Sequence, residues 1–84
     1  NLMLKNGAKG RMEALCLEAG QKFEIIPDED ENFLAVYVRK GEIRIGENAV
    51  KENQMIVIKR WSEKAVIHSV GNANSKIGIC RAVL

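Results

Sequence analysis

The chain has 84 residues, a length that argues for one domain, and a thin one: so small a fold buries only about 60–65% of its unfolded surface. Hydrophobic residues make up 46% and charged residues 29%, which excludes a disordered chain. The net charge is +2, with 13 Lys and Arg interleaved among 11 acids and only four aromatic residues, so there is no basic block to read as a nucleic-acid surface.

Strand periodicity recurs along the chain and helical periodicity does not. "RMEALCL" (Arg11–Leu17) is the first predicted strand, ended by Glu18-Ala19-Gly20. "KFEII" (Lys22–Ile26) follows and stops at Pro27, which has no amide proton to give a ladder. Asp28–Glu31 is an acidic run, predicted to be a solvated loop. "FLAVYVR" (Phe33–Arg39) is rich in β-branched and aromatic residues, as strands are. A Lys40-Gly41 turn leads to "EIRI" (Glu42–Ile45), which alternates cleanly.

"GEN" makes the next turn, "AVK" (Ala49–Lys51) a short strand, and Glu52-Asn53 turns again. "QMIVIKR" (Gln54–Arg60) is the most apolar segment and is predicted to be the most buried strand. "WSEK" is a loop. "AVIHSV" (Ala65–Val70) and "KIGICRAVL" (Lys76–Leu84) flank "GNANS", whose Gly and Asn tolerate positive φ. About eight short strands at close spacing predict an all-β antiparallel sandwich or barrel over residues 1–84.

Four side chains are candidates for chemistry. His68 shares strand parity with Val66 and Val70 and is expected to project into the barrel mouth, where an imidazole suits acid–base catalysis. Arg81 shares parity with Ile77, Ile79 and Val83. An arginine on an apolar face needs a carboxylate partner or an anionic ligand, so Arg81 is a candidate ligand-binding residue. Tyr37 and Trp61 are expected to line the same ligand site, Tyr37 from its strand and Trp61 from the loop after the buried strand. Cys16 and Cys80 fall in apolar strand patterns and are expected to be reduced core thiols. No stretch approaches the roughly 20 apolar residues that span a bilayer and no leader pattern is visible, so a cytoplasmic location is expected. The chain opens on Asn1 rather than Met, and an upstream extension is expected.

The order of these pieces resembles the cupin superfamily, small double-stranded β-helix (jelly-roll) barrels. The resemblance runs from Gly10 to Leu84 through "EAGQ", "YVRKGEIRI", "GENAVKENQ" and "IHSVGNANSKIGICRAVL". In the first cupin motif, Gly-x5-His-x-His-x3–4-Glu-x6-Gly, Gly41 matches the closing glycine. The glutamate position then falls on Leu34, and the histidine positions on Asp28 and Asp30, or Pro27 and Glu29. The second motif ends in His-x3-Asn, which His68 and Asn72 match, while Glu63 and Ala65 replace its Pro-x-Gly.

The resemblance therefore implies a cupin without the usual metal site and with no cofactor. Its expected role is small-molecule binding or oligomerisation, with a second copy of itself as partner (a homodimer), a small-molecule ligand besides, and neither nucleic acid nor membrane. Two branches of the superfamily come nearest. The central segment looks like the metal-free C-terminal barrel of pirin-type proteins. The "GR" start, the acidic cluster and the "ICRAVL" ending look like the small single-cupin nucleoside phosphorylases, whose "VPxxSxF" is replaced by "IKRWSEKAV". A metal-independent enzyme of that type is the alternative. A metal-dependent enzyme using Asp28, Asp30 and His68 ranks below it. Cyclic-nucleotide-binding barrels share the "G…YV…G" pattern, but no phosphate-binding cassette lies between Gly46 and Trp61.

Overall fold

Eight antiparallel strands form two four-stranded sheets in the computed structural model, which describes residues 9–84. They are β1 (Lys9–Leu17), β2 (Lys22–Ile25), β3 (Phe33–Lys40), β4 (Glu42–Ile45), β5 (Asn48–Lys51), β6 (Met55–Lys59), β7 (Ala65–Val70) and β8 (Ser75–Val83). Sheet A has the order β1-β8-β3-β6 and sheet B the order β2-β7-β4-β5. The fold is all-β, as the alternation and turn spacing predict. Among the described residues no helix is long and apolar enough to cross a membrane.

The turns hold the register. Gly41 lies at φ 90 between β3 and β4, and a Cβ there would stand 2.6 Å from Ser75 Oγ, so no larger residue fits. Ser75 Oγ is fixed in turn, 2.9 Å from the buried Ser69 Oγ and donating to the Glu42 carbonyl at 3.1 Å. This small polar knot sits where the β7–β8 hairpin passes from sheet B to sheet A, and it satisfies hydroxyls that would otherwise be costly to bury.

The core lies between the sheets. Leu34, Val36 and Val38 of β3 and Ile77 and Ile79 of β8 face Ile43 and Ile45 of β4 and Ile67 of β7. Because partners in a ladder share a face, the burial of Ile67 and Ser69 fixes the direction of their neighbours. Val66, His68 and Val70 point outward from sheet B. In sheet A the outward set is Met12, Ala14 and Cys16 on β1, Gly78 and Cys80 on β8, Ala35 and Tyr37 on β3, and Met55 and Val57 on β6.

Two expectations are corrected here. β6 is an edge strand, not the most buried one: Met55 and Val57 are exposed, and only Ile56 and Ile58 turn partly inward. Its continuous apolar run arises because both of its faces carry apolar groups. The two cysteines are not core thiols: both belong to the outer face of sheet A, Cys16 exposed and Cys80 half-buried, where burial raises the Cys80 thiol pKa. The two sheets form a sandwich, one of the two arrangements the alternation predicts, and its edge strands β5 and β6 are not paired with each other.

Candidate functional site

One end of the sandwich is plugged by charge. Arg81, on the inner side of β8, donates from Nε and Nη2 to Glu31 Oε1 at 3.1 and 2.8 Å, and Nη2 also donates to the Ile26 carbonyl. Both side chains are nearly buried, 11% exposed for Arg81 and 8% for Glu31. The Asp28 amide donates to the same Glu31 oxygen at 2.7 Å. Arg11 of β1 pairs with Asp28 and stands 3.7 Å from Glu31. Burial alone would push the Glu31 carboxyl up; the Asp28 amide, Arg81 and Arg11 together outweigh it and hold the pKa below the ordinary value. The Arg81 guanidinium also lies over the Trp61 ring, 5.4 Å from its centroid.

The acidic run is solvated at Asp28, Glu29 and Asp30, as expected, but its last residue, Glu31, turns inward and makes the loop a clamp. It descends from β2 in sheet B and ties to β1 and β8 in sheet A. Sequence reasoning leaves Arg81 open between a carboxylate partner and a ligand; the carboxylate it meets is Glu31, fifty residues away in the chain. That pairing joins distant segments, and no local pattern announces it.

The other candidates lie apart from this end cluster. His68 sits on the outer face of sheet B, opposite Lys22 of β2 and Arg44 of β4, and so does not point between the sheets as expected. Val66 and Val70 make its face look apolar, but Ala65, Ile67 and Ser69 form the buried set. Tyr37 is on the outer face of sheet A, 39% exposed, with its hydroxyl donating to Asn53 Oδ1 at 3.2 Å. Arg81 and Trp61 meet; His68 and Tyr37 occupy opposite outer faces. Leu34, at the cupin glutamate position, is fully buried and packs in the same apolar core as Ile67. Among the described residues no three His, Cys, Asp or Glu side chains converge, so Asp28, Asp30 and His68 do not form a ligand set.

Two features were not singled out from the sequence. The first is the outer face of sheet A, where Met12, Met55, Val57 and Tyr37 are exposed beside Ala14, Ala35, Gly78 and the two cysteines. Its signal was present: "FLAVYV" and "MIVI" are continuous apolar runs, the mark of strands covered on both sides. The second is an open cavity of about 570 Å³ between the β4–β5 turn and the β6–β7 connection, with Trp61 in its wall.

No protein-family model matches the sequence, nor does any curated protein. The structure is similar to the "Schizosaccharomyces pombe Cnp3 Cupin Domain", with a TM-score of 0.68 and 12% sequence identity. The similarity covers 99% of this chain and 58% of that one, so this chain spans less than two thirds of that structure's length. At that identity the likeness establishes the cupin fold and nothing finer.

Proposed function

We propose that this chain, which has the cupin fold, is a self-associating module whose sheet A mates outer face to outer face with the same sheet of a second copy. The observation that carries this reading is the apolar face itself. It takes in all four strands of sheet A, and no charged group interrupts its centre.

A second copy fits that face better than a charged partner would. The outward cations Lys40, Lys59 and Lys76 stand at or near the ends of the strands, where solvent reaches them. A strongly acidic partner would bury its carboxylates on the uncharged centre with nothing to pair them, which is costly. Four strands of 9, 9, 8 and 5 residues, spaced by about 4.8 Å and rising about 3.3 Å per residue, present about 500 Å² per copy. Doubled, that reaches the approximately 1,000 Å² expected of a specific interface.

The test is sedimentation equilibrium of the chain and of Ala35→Arg, which plants a charge between Val57 and Cys80. The expected result is a micromolar dimer converted to a monomer with unchanged strand circular dichroism. A wild-type chain that stays monomeric at hundreds of micromolar overturns the reading.

An enzyme of the metal-independent nucleoside phosphorylase type has weaker support. Of the arginines it would use for phosphate, Arg81 is neutralised by Glu31, and Arg39 is exposed at the register irregularity near the end of β3.

A further inference from the structure

We infer that the cavity beside Trp61 is a binding site for a small organic monoanion: a carboxylate on a short apolar body. The cavity has about 570 Å³ of space, and its apolar wall is Ile45, Ile58 and Ala65. Its polar wall is the segment Arg60 to Lys64. None of these residues belongs to the outer face of sheet A, so this site is separate from the self-association proposed above.

Three features of the wall bear on it, one at Trp61 and two at Arg60. First, Trp61 is 3% exposed, yet its indole Nε1–H has no acceptor. A buried donor without a partner costs about 1–3 kcal/mol, and native folds almost always supply one. Second, Arg60 is held at φ 56. Asp30 and Asn53 share that left-handed conformation, but they are residue types that tolerate it; a long side chain such as arginine is uncommon there. Third, the wall has one uncommitted cation. Arg60 makes no ion pair or side-chain hydrogen bond among the described residues, whereas Lys64 is paired with Glu24 at 2.9 Å.

That charge count selects the ligand class. One free guanidinium matches one carboxylate. Glu63 on the same wall repels any anion, and a dianion such as a phosphate monoester would add a second negative charge that Arg60 alone does not offset. The isoleucines and alanine suit a short apolar body, as ligand cavities commonly do. In the proposed complex the carboxylate pairs with Arg60 and one of its oxygens accepts from Trp61 Nε1–H. The exposed residues Ser62, Glu63 and Lys64 shift to admit it. Arg81, stacked on the indole, keeps the ring in place.

Trp61 is the one tryptophan in the chain, so its indole N–H gives a single resonance in a ¹H–¹⁵N correlation spectrum. Hexanoate is expected to shift that resonance saturably, while hexan-1-ol and inorganic phosphate bind at least about tenfold more weakly. Arg60→Gln should weaken hexanoate about tenfold, and Arg44→Gln, on the outer face of sheet B, should leave it unchanged. Trp61→Phe removes the unpartnered donor but keeps a ring. It is expected to melt as high as the parent chain while losing hexanoate affinity by calorimetry. An indole resonance that hexanoate does not move overturns the proposal. So does equal affinity for hexanol, or an Arg60→Gln variant that binds like the parent.

Discussion

The two sheets contribute four strands each and turn the same kind of side chain inward, yet their outer faces differ. Sheet B shows water Lys22, Glu24, Arg44 and His68. Sheet A shows Met12, Met55, Val57 and Tyr37 around Ala35 and Cys80. A sheet with one covered face needs apolar residues at every second position only; the clean alternation of "EIRI" and "KFEI" is that economy. Sheet A goes beyond it, and scattered exposed apolar groups need no explanation whereas a contiguous face of them does. The comparison teaches that the inner faces build the fold, while the outer face of sheet A carries apolar groups beyond what the fold requires, the feature on which the proposed self-association rests.

The largest expected effect tests what the sheets share. Ile79→Ala in sheet A and Ile67→Ala in sheet B should each cost about 3 kcal/mol of unfolding free energy in a denaturant titration. Both side chains are essentially fully buried in the common core. A markedly smaller loss in one sheet would mean that its inner face is not fully packed.

The next effect separates the sheets. Val57→Lys on sheet A should weaken self-association by about 2 kcal/mol, roughly thirtyfold in dissociation constant. Val66→Lys, the matching change on the outer face of sheet B, should alter association and stability by no more than about 0.5 kcal/mol. Equal responses in sedimentation would erase the distinction between the faces.

The smallest effect concerns the clamp that ties the sheets together. Glu31 has a folded pKa below its unfolded value, so its contribution to stability is fully present above the unfolded carboxylate pKa. It is lost as pH falls through the lower folded value, where the unfolded state takes up the proton first. Glu31→Gln should remove about 1 kcal/mol at neutral pH and flatten the acid limb of a stability-against-pH curve. A variant with an unchanged acid limb would assign the acid sensitivity to other carboxylates.

All eight strands were legible in the sequence, because alternation and the turns at Gly41, Gly46 and Asn53 are local signals. The side that each strand shows to the core was less legible. Where both parities are apolar, as in "FLAVYV", the sequence alone does not say which set is inside. His68 was misplaced for a related reason: its apolar neighbours Val66 and Val70 imitate a core stripe. The Arg81–Glu31 pair and the unpartnered Trp61 donor depend on contacts between segments far apart in the chain, and no spacing rule reports those. Leu34, which the sequence sets at the cupin glutamate position, turns inward and is fully buried.

The β7–β8 hairpin supplies an interior strand to each sheet, β7 between β2 and β4 and β8 between β1 and β3. Both strands follow the other six in sequence. During synthesis, therefore, β1 emerges long before the strand it must pair with, and neither sheet can close until the hairpin leaves the ribosome. Assembly is then a single late event that zips two half-made sheets at once. Until it happens, β1 and β3 stand without their shared neighbour, and the apolar groups on both of their sides are open to the wrong partner.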